Sequence, residues 1–89
     1  MAIFIKENGV VAEVKPQNGK TFSLEELQYF VKGYIEIIMV GEKLMVLNEE
    51  GKLYDYDINL TATEIFQKYY GNTDVIVGCV LLADNDELD

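Results

Sequence analysis

The chain has no histidine, no arginine and no tryptophan, and only one cysteine and one proline. Each absence excludes something. Histidine is the usual acid–base group near neutral pH and the commonest metal ligand. Arginine is the usual two-pronged clamp on phosphate and carboxylate. Without both, the common equipment of phosphoryl transfer, zinc chemistry and triad hydrolysis is missing. The lone Cys79 excludes a disulfide within the chain and a multi-cysteine metal site, and it fits a reducing compartment. No apolar run reaches the roughly 18 residues of a spanning helix. Met1 to Lys6 lacks the charged and apolar regions of a signal peptide. The expectation is a soluble, cytoplasmic protein with no membrane partner.

What remains is acid, lysine, tyrosine and aliphatic bulk. Sixteen acids face seven lysines, for a formal charge of −9, and 49% of the residues are hydrophobic. At 89 residues this is one domain, able to bury about 60–65% of its unfolded surface, so the core must be well filled. Such a negative surface repels nucleic acid, because phosphate binding needs clustered cations.

Ala2 to Lys6 reads as a strand, and Asn8-Gly9 as a hairpin turn of the kind that favours two positive φ angles. Val10 to Lys15 alternates and returns as the second strand, stopped by Pro16. Ser23-Leu24-Glu25-Glu26 is a capping box, with Phe22 and Leu27 placed for a hydrophobic staple. Leu24, Leu27, Phe30 and Val31 form a helical stripe. Gly33 is expected to end that helix in the left-handed conformation.

Three strands should follow: Tyr34 to Val40, Lys43 to Leu47 after a glycine-first turn at Gly41-Glu42, and Lys52 to Ile58 after the turn Asn48 to Gly51. A second helix runs to Tyr70, capped by Asn59 or by Thr61, and stops at Gly71-Asn72. Asp74 to Ala83 is the last strand. Its long apolar run suggests a central position covered on both faces, and Gly78 inside it marks a bulge or a close approach. The order is ββαβββαβ, an α+β class with two helices on a mostly antiparallel sheet. Residues 1–83 form the domain, and Asp84 to Asp89 an acidic, frayed tail.

Several of these stretches together resemble the DUF3846 domain family. They are VKPQNGKTFSLEELQ from Val14 to Gln28, VKGYIEI from Val31 to Ile37, MVLNEEGK from Met45 to Lys52, NLTATE from Asn59 to Glu64, and DVIVGCVLL from Asp74 to Leu82. The likeness covers residues 10 to 83. It implies a fold and a setting among small bacterial, phage and mobile-element proteins, with no catalytic residues to carry over. Two positions depart from the pattern. Lys32 stands where a second glycine is expected before Gly33, and Cys79 where an acid is common after Gly78.

The candidate interaction surface is acidic: Glu42, Glu49, Glu50, Asp55 and Asp57. The preferred expectation is a non-enzymatic protein–protein module with no cofactor, acting through that face on a basic or nucleic-acid-binding partner. A narrower version is a DNA-mimicking decoy, and a homodimer through a sheet edge is a further arrangement. The alternative is a metal-dependent enzyme using Glu49, Glu50, Asp55 and Asp57, for which no D-x-D-x-D-G loop is present. The six tyrosines fit core and rim packing better than a base-stacking platform, given the charge.

Overall fold

A computed structural model describes residues 1–88. Five strands and two helices follow the order β1 (Ala2–Ile5), β2 (Val11–Val14), α1 (Leu24–Val31), β3 (Ile35–Val40), β4 (Lys43–Asn48), α2 (Leu60–Tyr70) and β5 (Val80–Asp84), with a short 3-10 turn at Asn85–Glu87. The strands form one sheet in the order β2-β1-β5-β4-β3, and every neighbouring pair is antiparallel. The class is α+β, as the sequence suggests.

The pleat divides the core in two. Ala2 and Phe4 of β1, Leu81 and Ala83 of β5 and Val46 of β4 turn to one face, where Phe22, Leu27 and Val31 cover them. Ile3, Ile5, Val80, Leu82, Met45 and Leu47 turn to the other, under Ala62, Ile65 and Phe66. Each face therefore carries one helix. Successive side chains of β5 are buried on opposite sides, which is why its sequence is apolar throughout.

Both helix starts follow side-chain chemistry. Ser23 accepts from Glu26 N while Glu26 accepts from Ser23 N, a complete capping box. Asn59, not Thr61, caps α2. Its Oδ1 accepts from Ala62 N, and its Nδ2 donates to the carbonyls of Ile5 and Gly78 at 3.1 and 2.8 Å. This buried amide joins the end of β1, the start of α2 and the approach to β5.

Other expectations are corrected. Leu24 is exposed, so the stripe of α1 rests on Leu27 and Val31. The first hairpin has positive φ only at Gly9, not at Asn8. Gly9 N donates to Lys6 O, giving a turn that ends in a left-handed glycine. The helix α1 ends on Lys32, which is left-handed at φ 66 and ψ 35. Gly33 N reaches back to Gln28 O and completes a Schellman closure with Lys32 in the left-handed place. Gly33 is needed for a different reason: a Cβ there would lie 2.9 Å from Asn48 Nδ2.

Lys52 to Ile58 forms no strand. Both sides of β4 are already taken, by β3 and β5, so the sheet offers this segment no slot beside its predecessor. It winds instead through successive turns, Leu53 N and Tyr54 N both donating to Glu50 O, and Asp55 is left-handed at φ 58. Only Ile58 makes a lone bridge, to Val77. The last strand is also shorter than expected. Gly78, at φ 77 and against Tyr56, breaks the run so that β5 begins at Val80.

The acidic C-terminal segment is not frayed through Leu88. Asp84 belongs to β5 and pairs with Lys43 and the Met1 amine. Phe22 N donates to Glu87 O at 2.7 Å, and Leu88 packs on the α1-side core. Asp89 lies outside the described residues. Among those described, no helix is long and apolar enough to cross a membrane.

Candidate functional site

The two edges of the sheet differ in kind. The edge strand β2 has four residues, carries Glu13, and is followed by Lys15 and Pro16. Charge and proline at an edge are ordinary protection against unwanted pairing. The edge strand β3 has six residues, IEIIMV, with no proline and no lysine. Ile37 and Met39, which alternate with Ile35 on the α1 face, remain 46% and 58% exposed.

The backbone of β3 faces solvent in a definite pattern. Val40 and Lys43 flank the two-residue turn Gly41-Glu42, with positive φ at the glycine alone. Such a flanking pair is hydrogen-bonded, and alternation then aims the N–H and C=O of Ile35, Ile37 and Met39 away from β4. Two observations agree. Tyr34 O, in the inward set, accepts from Glu49 N at 2.9 Å. Met39 O, in the outward set, accepts from the Tyr70 hydroxyl of α2. Tyr70 thus closes one outward carbonyl at the end of β3. Tyr69 beside it packs against Gly41, where a Cβ would come within 2.8 Å of its hydroxyl.

The five acids of the sequence-based surface fall in different places. Glu49 sits beside Tyr34 at the start of β3, with Glu50 following, and Glu42 lies in the turn at its other end. Glu49 and Glu50 share a cleft of about 190 Å³ with Glu36 of β3 and with Lys52 and Asp74, which pair with each other. That pairing holds the Asp74 carboxyl below the usual carboxylate range. Asp55 lies in the run of turns. Asp57 lines a separate cavity on the α1 face. Asp55 and Asp57 are therefore not two neighbours on one strand face. No group of three or more histidine, cysteine, aspartate or glutamate side chains is arranged to hold a metal among the described residues.

The separate cavity is the larger, about 760 Å³, between the end of α1 and the β1–β2 turn. Phe4, Tyr29 and Phe30 line it, with Phe4 and Phe30 rings 4.9 Å apart and Tyr29 edge-on to Phe30 at 6.0 Å. Sequence reading missed this site, because its parts come from four separated segments and no local spacing marks them. Cys79 is buried at its wall.

A family model described as a domain of unknown function, DUF3846, matches residues 1–89, so the chain belongs to that family. Neither the curated proteins nor the solved structures contain a match to it.

Proposed function

We propose that this chain is a non-enzymatic interaction module that takes an extended partner segment as a sixth strand along β3. The observation that carries this reading is the longer edge, without the lysine and proline that follow β2: six residues, outward-facing amides at Ile35, Ile37 and Met39, and apolar side chains beside them. Strand addition draws affinity from such main-chain groups and specificity from the alternating side chains. The flanking charge selects the partner. Glu49 and Glu50 stand at one end of β3, Glu42 at the other, and Glu36 within it. A segment with an apolar middle and lysine or arginine at both ends complements that arrangement. A second copy of the chain does not, since each carries −9 and like charges oppose close approach.

The same placement argues against a DNA-mimicking decoy, which needs its acids ranked along one face. It also argues against a carboxylate centre built from Glu49, Glu50, Asp55 and Asp57, since Asp57 faces the α1-side cavity instead.

A photo-crosslinking residue at Met39 should capture a basic protein from the native host, while the same residue at Val11 on the opposite edge should not. Ile37→Pro deletes one outward amide and should abolish capture. Replacing Glu42, Glu49 and Glu50 by glutamine should slow association and flatten its salt dependence. Equal capture from both edges, or indifference to Ile37→Pro, would refute strand addition at β3.

A further inference from the structure

The α1-side cavity combines two features that point to a ligand. The first is an orphan carboxylate. Glu7 Oε2, in the β1–β2 turn, is buried with no hydrogen-bond partner. A buried acceptor without a donor is rare in a folded protein and points to a group the fold leaves to something else. The second is unpaired positive charge. Lys6 and Lys32 face the same cavity. Neither has an ion-pair partner among the described residues; Lys15, Lys20 and Lys68 have none either, but do not line this cavity. Lys32 is held at the rim because it closes α1 in the left-handed place.

These features specify a ligand with two different ends and a flat middle. Glu7, in a cavity that Asp57 also lines, calls for a hydrogen-bond donor edge. Lys6 and Lys32 call for an anion. The rings of Phe4, Phe30 and Tyr29 call for a planar body to stack or edge against. We propose that this cavity binds a purine nucleoside monophosphate, with guanine as the base. Guanine presents two adjacent N–H donors on one edge, which a carboxylate can accept together. Adenine places an acceptor beside its amine, which a carboxylate opposes. The volume of about 760 Å³ falls in the range of small-molecule sites. A zwitterionic aromatic amino acid has the same charge logic but would fill less of the space. Two lysines suffice for one phosphate and leave the rest of the surface hostile to a nucleic acid.

The site lies at the β2–β1 side of the sheet, remote in strand order from β3, so it stands or falls apart from the edge-strand reading. Isotope-labelled protein would be titrated with GMP, AMP, guanosine, inorganic phosphate and tryptophan, following backbone amide shifts. GMP should give saturable shifts at the cavity with Kd below about 1 mM. Guanosine, phosphate and tryptophan should each bind more weakly. Glu7→Gln should weaken GMP roughly tenfold and bring it level with AMP. Lys32→Gly should weaken GMP and leave guanosine unchanged. Because that variant relieves strain, its loss of binding cannot come from unfolding. The proposal is overturned if GMP gives no saturable shifts at the cavity, if tryptophan binds more tightly than GMP, or if Glu7→Gln leaves GMP binding unchanged.

Discussion

Lys32→Gly should stabilise this protein. Lys32 closes α1 at φ 66 and ψ 35. An L-residue with a Cβ costs about 1–2 kcal/mol in that conformation. Glycine removes the cost but is freer in the unfolded chain, which takes back roughly 0.5–1 kcal/mol. The balance is a gain of about 0.5–1 kcal/mol, or roughly 2–8 °C in a domain of this size. Gly33→Ala should act in the opposite direction. Its Cβ would lie 2.9 Å from Asn48 Nδ2, and that nitrogen donates to Val31 O at 2.9 Å. Asn48 Oδ1 also holds Glu50 N at 2.7 Å. Pushing a buried amide off its partners costs about 1–3 kcal/mol. Urea melts with a shared m-value would measure both variants. The adjacent substitutions thus have opposite signs. If α1 ended on a left-handed Gly33, Lys32→Gly would instead put glycine inside the helix and cost about 1 kcal/mol. Destabilisation by Lys32→Gly would refute the ending described here.

Asn59→Ala should cost about 3 kcal/mol in the same urea assay, since it removes the cap of α2 and strands two buried carbonyls. Deleting residues 85–89 should lower stability by about 2 kcal/mol, because Phe22 N loses its acceptor and Leu88 leaves the core; an unchanged melting midpoint would show that the docked segment contributes nothing. Lys43 and the Met1 amine hold the Asp84 carboxyl down at about 2, from an ordinary 3.8. Its folded-state pKa is depressed, so its contribution is present above pH 3.8 and is lost as pH falls from there towards about 2. Asp84→Asn should therefore flatten the acid limb of the stability–pH curve, and a limb as steep as before would remove Asp84 from the account.

Local chemistry was legible in the sequence and tertiary competition was not. The capping box at Ser23 and Glu26 forms because both partners lie within four residues and need nothing else. The central, doubly covered position of β5 could be read from its unbroken apolar run, since only burial on both faces tolerates one. The segment Lys52 to Ile58 misled because its alternation is real but the places beside β4 were filled by β3 and β5, a fact about strand order that no local pattern carries. Gly33 misled in a subtler way. Glycine there signals a constraint, but the constraint is the approach of Asn48 from β4, 15 residues along the sequence. The likeness to a family pattern with glycine at position 32 was the better guide to the left-handed site. Asp84 to Leu88 carries three acids, a pattern that suggests a solvated segment, whereas β5 carries Asp84 to Lys43 and brings Glu87 to Phe22.

The acids divide along the same line. Composition showed that the surface is negative, and it could not say which acids share a neighbourhood. The hairpin of β3 and β4 decides this. A turn at Gly41-Glu42 and a register that sets Ile35 opposite Asn48 place Glu42 and Glu49 at the two ends of one edge strand. Asp55 and Asp57, close in sequence to Glu49 and Glu50, are carried away by the turns that begin at Asn48. The charge that matters for a partner at β3 is therefore the set flanking the edge. Neutralising Glu42, Glu49 and Glu50 should change partner association, while neutralising Asp55 and Asp57 should leave it unaltered. Equal effects from the two sets would mean that the surface acts through its total charge, and the edge strand would lose its claim to specificity.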